Sequence, residues 1–429
     1  MKNKRREFLK HSALTGLGIA GGGVWKGFAS GLEDHNKSSF MSSITSAADD
    51  KNSSIIGLYG PWAASLTEGK LPSLSFRNKE WSNVDRWRES AKKRVIERMA
   101  IPDIGGMPEV TIKKQSEFDG LQIEELSWQL PYGRPTEAIL LKPINQKGPL
   151  PGILAFHDHG GNKYFGTRKI TRTAPQHPLI EDHQKMYYEG LAWANEIAKR
   201  GYVVLVSDAH PFASRRVMMQ DVPDHLRNGL NDQDPENPAH IKAYNDWAAQ
   251  HEHIMAKSLF SAGTTWAGVF FAEDKKALDI LCARKEVDAN KIGCGGLSGG
   301  GMRTVFMGGL DPRIKCAVSV GFMTTWRDLI VNKSYDHTWM TYVPVLPNEL
   351  DFPEIMGLRA PLASLVLNDS EDELYTPSEM KRADDILGEV YKKANAADRY
   401  KCSFYPGPHK FDKKMQAEAF EWFDRWLKV

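Results

Sequence analysis

Hydrophobic and polar positions follow two periodicities along the chain, and their alternation predicts the fold class. Short continuous apolar runs predict buried strands, whereas apolar residues at every third or fourth position predict helices. The predicted strands cover 123–130, 136–141, 153–156, 202–206, 291–294, 314–320, 362–367 and 401–405. The predicted helices cover 81–99, 188–200, 266–284, 300–310, 377–394 and 413–427. This alternation indicates an α/β fold with a mainly parallel eight-stranded sheet and helices on both of its faces.

The same pattern divides the chain into segments. Residues 56–110 are predicted to be an N-terminal helical extension, and residues 111–429 hold the alternating strands and helices. Between residues 212 and 261 the sequence is polar and rich in histidine, and it interrupts the alternation. We expect this insertion to form a cap or lid above the sheet, with a plain surface excursion as an equal alternative.

The first 29 residues are typical of an export signal and are set apart from the fold. Lys4-Arg5-Arg6-Glu7-Phe8-Leu9-Lys10 is followed by a glycine-rich apolar stretch over 12–20, which is too short to span a bilayer. Gly27-Phe28-Ala29 offers small residues for a signal peptidase. The string resembles the bacterial twin-arginine signal, so we expect the twin-arginine export machinery as a partner and a periplasmic or secreted location. A flexible linker is predicted over 30–55, and no stable membrane anchor is expected after processing.

Composition narrows the classes of partner. The 429 residues include 56 Lys and Arg against 54 Asp and Glu, a formal charge of +2, so no nucleic-acid-binding surface is expected. Hydrophobic residues at 41% and charged residues at 26% are typical of a globular protein with a sizeable core. Free buried thiols are favoured over a disulfide, which the export signal leaves open. The cysteines concerned are Cys282, Cys294, Cys316 and Cys402.

The candidate chemistry begins at Gly296-Leu297-Ser298-Gly299-Gly300, a G-x-S-x-G string between a predicted strand and a predicted helix. Glycines suit a tight turn in which larger side chains would collide with the adjacent strand and helix. Such a turn would expose the Ser298 hydroxyl near the positive end of the helix. Ser298 is therefore the candidate nucleophile, and a glycine-rich turn with an idle serine is the alternative. A phosphate-binding loop is disfavoured because its lysine is absent.

A serine hydroxyl needs a base, and with this kind of turn the chain order is serine, acid, histidine. His409 follows the last predicted strand and is the candidate base, whereas His337 lies in an irregular segment. The acid is expected just after the preceding strand. There Asp372 is favoured over Asp369 and Glu371 because an apolar residue and a helix-opening proline follow it. The acid would hold the histidine tautomer and stabilise the imidazolium.

The oxyanion of a tetrahedral intermediate needs backbone donors. We expect one donor at the amide of Gly299 and the other at the amides near Asp158 and His159, in the loop His157-Asp158-His159-Gly160-Gly161. A metal site is an alternative, since His157 and His159 would face the same side of an extended chain. A clear third ligand is missing, so neither a metal nor a cofactor is predicted.

Over roughly residues 110 to 429 these motifs resemble the α/β-hydrolase superfamily, and within it the acetyl xylan esterase-like, dienelactone-hydrolase-related branch. The resemblance implies the α/β-hydrolase fold and matches the family's nucleophile, acid and base to Ser298, Asp372 and His409. The family loop more often reads His-Gly-His-Gly-Gly, so Asp158 leaves the second oxyanion donor open. The strings that carry the resemblance are 157–161, 207–210, 215–216, 287–300 and 311–315.

The resemblance implies an exported serine esterase that removes acetyl or other short acyl groups from carbohydrate through an acyl-enzyme, with a small-molecule or glycan ester as substrate. Trp266, Trp326 and Trp339 are candidates for stacking on sugar rings, with core packing as the alternative. A serine peptidase of the prolyl-oligopeptidase type shares the triad order, but the chain has no repeat of propeller period. A non-catalytic binding protein is the third possibility. The oligomeric state stays unknown.

Overall fold

The computed structural model describes residues 54–145 and 147–428. The export signal predicted over 1–29 and residues 30–53 of the linker predicted over 30–55 lie outside the described residues. The strands of the described chain are β1 (Val110–Phe118), β2 (Leu121–Trp128), β3 (Thr136–Pro143), β4 (Leu150–Phe156), β5 (Val203–Ser207), β6 (Val287–Leu297), β7 (Ile314–Val320), β8 (Ala363–Asp369) and β9 (Tyr400–Tyr405). The α-helices of the same part are α1 (Tyr59–Ser65), α2 (Val84–Met99), α3 (Pro178–Tyr188), α4 (Trp193–Lys199), α5 (Pro238–Gln250), α6 (Glu252–Ser261), α7 (Trp266–Cys282), α8 (Gly299–Leu310), α9 (Phe352–Gly357), α10 (Pro377–Lys393) and α11 (Lys413–Leu427).

All of these strands join one sheet in the order β1-β2-β3-β5-β4-β6-β7-β8-β9. The first three strands pair antiparallel, and β3 pairs antiparallel with β5. Every pair from β5 through β9 is parallel. The carboxyl ends of these parallel strands meet at one edge, where α/β proteins commonly bind their ligands. The predicted mainly parallel sheet is therefore confirmed.

Helices cover both faces of the sheet, as the continuous apolar strands predict. Along β4, Leu154 and Phe156 join one buried cluster, whereas Ile153 and Ala155 join the other. The first cluster includes residues of α2, α7, α8, α9 and α10, and the second includes residues of α4 and α11. Because successive strand residues point to opposite faces, a strand buried on both sides needs no polar alternation.

The sheet has nine strands, one more than the eight predicted. The extra strand, β1, lies at the edge and pairs with β2 alone. Its side chains are exposed or half-buried throughout, so the sequence carries none of the apolar alternation by which strands are recognised. Backbone pairing fixes this strand, and its polar side chains are typical of protected edges.

The single helix predicted over 188–200 is also wrong in its bounds. Two helices occupy this region, α3 ending at Tyr188 and α4 beginning at Trp193. Glu189 adopts a left-handed conformation with φ 53°, and Gly190 follows with φ 78°. A left-handed residue stops a helix, but glutamate rarely signals one in a sequence.

The segment 212–261 contains short 3-10 turns followed by α5 and α6. Within this segment Met219, Tyr244 and Trp247 form a small apolar cluster that is separate from the main core. Its role as a moving lid stays a prediction. Within the described part of the chain, no helix has both the length and the apolar character needed to cross a bilayer. The four cysteines are unpaired, with Cys294 and Cys316 buried.

Candidate active site

Ser298 lies on a strained turn between β6 and α8. Its backbone has φ 58° and ψ −120°, a conformation that is rare for a residue with a side chain. The Ser298 amide donates to the Val320 carbonyl at 2.8 Å, which ties the turn to β7. A Cβ at Gly296 or Gly300 would lie 2.4 or 2.5 Å from the Phe156 carbonyl oxygen. Both flanking glycines are therefore required by the close approach of β4, as the motif predicts.

His409 and Asp372 form a hydrogen-bonded pair at the same edge of the sheet. His409 Nδ1 lies 2.6 Å from Asp372 Oδ2, and the amide of Leu374 donates to the other carboxylate oxygen at 3.0 Å. Asp372 is buried. His409 Nε2 has no hydrogen-bond partner among the described residues. The imidazole is thus anchored through one nitrogen, and the other is left to accept a proton.

The two alternative acids have different partners. Asp369 accepts a hydrogen bond from the Lys410 amide at 3.0 Å, and Glu371 is exposed and accepts from the Gly407 amide at 3.3 Å. Burial raises the pKa of Asp369 to about 7. Asp369, Asp372 and His409 bring potential ligand atoms within 4.8 Å of one another, a spacing that could hold a metal ion. Because Asp372 and His409 bond directly to each other, the cluster fits a proton-transfer pair better than a metal site.

Ser298 and His409 line one cavity of ≈ 260 Å³. Gly321, with φ 56°, makes room for the imidazole, since a Cβ there would lie 2.8 Å from His409 Cε1. Sequence reasoning set His337 aside, yet its side chain also lines this cavity. Burial lowers the pKa of His337 to about 4, and its Nε2 lies 2.9 Å from the Leu374 carbonyl oxygen, so this histidine is a neutral wall residue. The other side chains of the wall include Tyr187, Phe322, Asp336, Thr338 and Tyr375.

The predicted oxyanion residues lie at the floor of this cavity. A Cβ built on Gly299 would lie 3.0 Å from the His159 amide nitrogen, so the backbone of His159 closely approaches Gly299, the residue after Ser298. Gly299 is the first residue of α8, where backbone N–H groups have no partner within the helix. The amides of Gly299 and His159 therefore stay the candidate oxyanion donors.

The Asp158 side chain points away from this pair into a buried cluster. Its carboxylate accepts from His183 Nε2 at 3.1 Å and from the Tyr188 hydroxyl, and it lies 3.6 Å from Lys169 Nζ. Burial alone would raise the pKa of Asp158, but the charges of His183 and Lys169 hold it well below its ordinary value. Asp158, the residue at which this chain departs from the family pattern, is therefore a buried anion behind the candidate oxyanion loop 157–161.

The metal alternative for the histidines of this loop is not supported. His157 Nδ1 lies 3.0 Å from the Asp158 carbonyl oxygen, and its Nε2 accepts from the Ala209 amide at 3.3 Å. His159 Nδ1 accepts from the Gly161 amide at 3.1 Å, and its Nε2 lies 2.8 Å from Glu252 Oε1. Protein groups occupy all four ring nitrogens, which leaves none for an ion.

Glu252, the first residue of α6, connects the 212–261 insertion to the cavity wall. One carboxylate oxygen contacts His159 and Lys163, and the other accepts from Thr338 Oγ1 at 2.9 Å and from the Trp339 amide at 3.2 Å. Burial would raise the pKa of Glu252, but bonds and charges from His159 and Lys163 lower it well below its ordinary value. A buried carboxylate thus joins three chain segments around the cavity.

The predicted sugar-stacking tryptophans separate into two groups. Trp266 and Trp326 are buried in the main core, and the Trp326 indole donates to the Leu350 carbonyl at 3.0 Å. Trp339 is 41% exposed and follows the wall residue Thr338. Core packing therefore accounts for the first two, and Trp339 alone of the three is exposed.

Comparison with known proteins adds relatives to this geometry. No protein-family model matches the chain. Over 292 residues, 68% of this chain and 83% of the relative, the sequence is 26% identical to YtaP of Bacillus subtilis (strain 168), a protein named as a hydrolase by inference.

Two solved structures share the architecture. A Bacteroides fragilis protein, named as an acetyl xylan esterase by inference, matches with a TM-score of 0.60 and 18% identity over 80% of this chain and 81% of its own. A glucuronoyl esterase from Solibacter usitatus matches with a TM-score of 0.56 and 13% identity over 83% and 97%. The sheet order, the strand–serine–helix turn and these likenesses together show that the chain has the α/β-hydrolase fold.

Proposed function

We propose that this protein is a serine esterase that hydrolyses carboxylic esters of carbohydrates, removing acetyl or other short acyl groups. The observation that carries the proposal is the Asp372–His409 pair, whose unpartnered Nε2 lines the same cavity as Ser298 on its strained turn. The esterases among the similar structures support the same reaction class.

In the proposed reaction His409 Nε2 takes the proton of Ser298, and Oγ attacks the ester carbonyl carbon. The oxyanion accepts hydrogen bonds from the Gly299 and His159 amides. The intermediate then collapses, and the leaving alkoxide takes the proton from His409. A water molecule, deprotonated by His409, then attacks the acyl carbon. The bond to Ser298 Oγ breaks, Oγ takes the proton back from His409, and the carboxylic acid is released. Asp372 holds the tautomer and stabilises the imidazolium formed in each half-reaction.

The cavity favours a small acyl group. Its volume of ≈ 260 Å³ is just below the lower limit of about 300 Å³ for sites that enclose drug-sized ligands. Aromatic walls from Tyr187, Phe322 and Tyr375 surround the site, and Trp339 is exposed beside it. A short acyl group inside, with the sugar at the aromatic rim, uses both features.

The test compares the mature protein with Ser298→Ala on nitrophenyl acetate and on acetylated xylan. We expect the variant to lose at least about 1,000-fold in kcat, because no nucleophile remains. Ser403→Ala is the matched control, since Ser403 lies on β9 with its hydroxyl bonded to Glu418. An inactive parent whose Ser298 also ignores a fluorophosphonate probe would instead favour the non-catalytic binding protein.

We further propose export through the twin-arginine system, on the strength of Lys4-Arg5-Arg6-Glu7-Phe8-Leu9-Lys10. Replacing Arg5 and Arg6 by lysine should retain the full-length precursor inside the cell, because the receptor reads the arginine pair. Fractionation of a bacterial host measures this directly. Equal secretion of parent and double variant would contradict the proposed route.

A further inference from the structure

Lys169 is a buried lysine that the proposed ester chemistry does not use. It ends the 3-10 turn Thr167–Lys169 and is 0% exposed. Its Nζ donates to the carbonyl oxygens of Asp158 and His159, each at 2.9 Å, and it lies 4.8 Å from the centre of the Phe212 ring. Removing an ammonium group from water is costly, so such a group needs compensating contacts. Here those contacts are two backbone carbonyls of the 157–161 loop and the Asp158 carboxylate, 3.6 Å from Nζ.

The Asp158 carbonyl and the His159 amide belong to one planar peptide group. A cation bonded to the carbonyl oxygen draws electron density from the amide and makes its N–H a stronger donor. It also fixes the orientation of the peptide plane. The His159 amide nitrogen would lie 3.0 Å from a Cβ on Gly299, so this peptide group lies next to the residue after Ser298. The charge on Lys169 is therefore transmitted to the candidate oxyanion donor through a single peptide bond.

We propose that Lys169 is a positioning residue of the oxyanion hole, which orients and polarises the 158–159 peptide so that its amide binds the tetrahedral intermediate. The inference rests on the proposed esterase function. Lys169 contacts neither substrate nor Ser298 in this arrangement, and its effect passes through the His159 amide. Substrate binding should be nearly independent of Lys169, whereas stabilisation of the oxyanion should depend on it.

Lys169 should also introduce an alkaline limit on activity. Burial lowers its pKa to about 8, with attraction from Asp158 opposing the shift and Lys163 adding to it. The neutral amine formed at higher pH polarises the peptide less. The charged and titratable groups that face Lys169 are Asp158, His157, His159, Lys163 and Asp208.

Lys169→Met is the decisive variant, because methionine keeps the chain length and removes the charge. We expect kcat on nitrophenyl acetate to fall about 10- to 100-fold with KM within about twofold, somewhat less than the loss of a whole oxyanion donor. The inhibition constant of phenylboronic acid, which forms a tetrahedral adduct with an activated serine, should rise by the same factor. Lys276→Met is the matched control: Lys276 is nearly buried and donates to the Gly105 carbonyl. It should leave both quantities unchanged.

A folded Lys169→Met protein with parental kcat and boronate affinity would overturn the inference, as would equal losses in Lys276→Met. If the variant fails to fold, kcat of the parent between pH 7 and 9.5 decides. A decline centred near pH 8 supports the role of Lys169, and a flat profile overturns it. An inactive parent refutes the esterase proposal itself, so the two failures are distinguishable.

Discussion

Replacing Asp158 by glycine, the residue more common in the family loop, should strongly destabilise this protein. Asp158 is 1% exposed and faces the buried Lys169 across 3.6 Å. In the variant the ammonium keeps its two carbonyl acceptors but loses its opposing charge. His183 and Tyr188 lose a common acceptor in the same step. Glycine at this position therefore leaves an uncompensated buried charge.

The structure sets the scale of the effect. Two unit charges separated by 3.6 Å attract by about 5 kcal/mol at an effective dielectric constant of about 20. Removing one partner of a buried ion pair typically costs about 3 to 5 kcal/mol. We expect a loss of this size in the unfolding free energy of Asp158→Gly. The double variant with Lys169→Met should recover at least about 2 kcal/mol relative to simple addition, because the buried charge is then gone.

Urea unfolding at pH 7, followed by tryptophan fluorescence, measures all four proteins of the cycle. Asp246→Ala is the control, because its pair with Lys242 is exposed although the two charges are closer, at 2.7 Å. That variant should lose no more than about 1 kcal/mol. A loss below about 1 kcal/mol in Asp158→Gly, or strict additivity in the double variant, would refute the counter-charge argument.

Three further outcomes follow from the described contacts. Asp372→Asn should lower kcat on nitrophenyl acetate by about 10,000-fold through the wrong His tautomer, whereas Glu371→Gln should stay within about twofold of the parent; equal losses would contradict the assignment. Asp369 has a pKa raised to about 7, above its ordinary 3.8, so the stability contributed by its protonated form is present below about pH 4 and is lost as the pH rises through 7. In urea titrations at pH 8, the unfolding free energy of Asp369→Asn should therefore exceed that of the parent by on the order of 1 to 4 kcal/mol, whereas the two should agree at pH 4. Parallel pH profiles of the unfolding free energy would refute this. Asp274→Ala removes the carboxylate that bonds buried Arg303 Nε at 2.9 Å, and its unfolding free energy should fall by about 3 to 5 kcal/mol, measured by urea titration.

The sheet and its covering helices are predictable from the sequence because strands buried on both faces and amphipathic helices have distinct periodicities. The edge strand β1 is not predictable, because its side chains are exposed or half-buried and carry no apolar alternation, while backbone pairing with β2 places it in the sheet. The helix boundary at Glu189 is not predictable from the sequence either, because the left-handed conformation of a glutamate depends on its tertiary contacts. Local signals therefore fail where the backbone is fixed by contacts that leave no side-chain pattern.

The residues of the candidate site also differ in how far the sequence predicts them. Ser298, Asp372 and His409 were identifiable because each follows a strand end at the expected place in the chain order. Lys169 and Glu252 were not, because their contacts arise in the folded chain and no sequence motif marks them. Glu252 meets His159 across 93 positions of sequence. The lining residue His337 shares this property, since nothing around it marks a strand or a turn.

The contacts of Glu252 have a consequence for engineering. Glu252 belongs to the insertion through α6, and its carboxylate bonds the candidate oxyanion loop at His159, the nearby Lys163, and the wall at Thr338 and Trp339. The insertion and the cavity wall are therefore bonded, through one side chain, to the loop proposed to bind the oxyanion. Transplanting the wall or the insertion from a relative would therefore also disturb the 157–161 loop, unless all three segments are exchanged together. Recombination libraries in this group should accordingly place their crossovers outside residues 157–340, not between these segments.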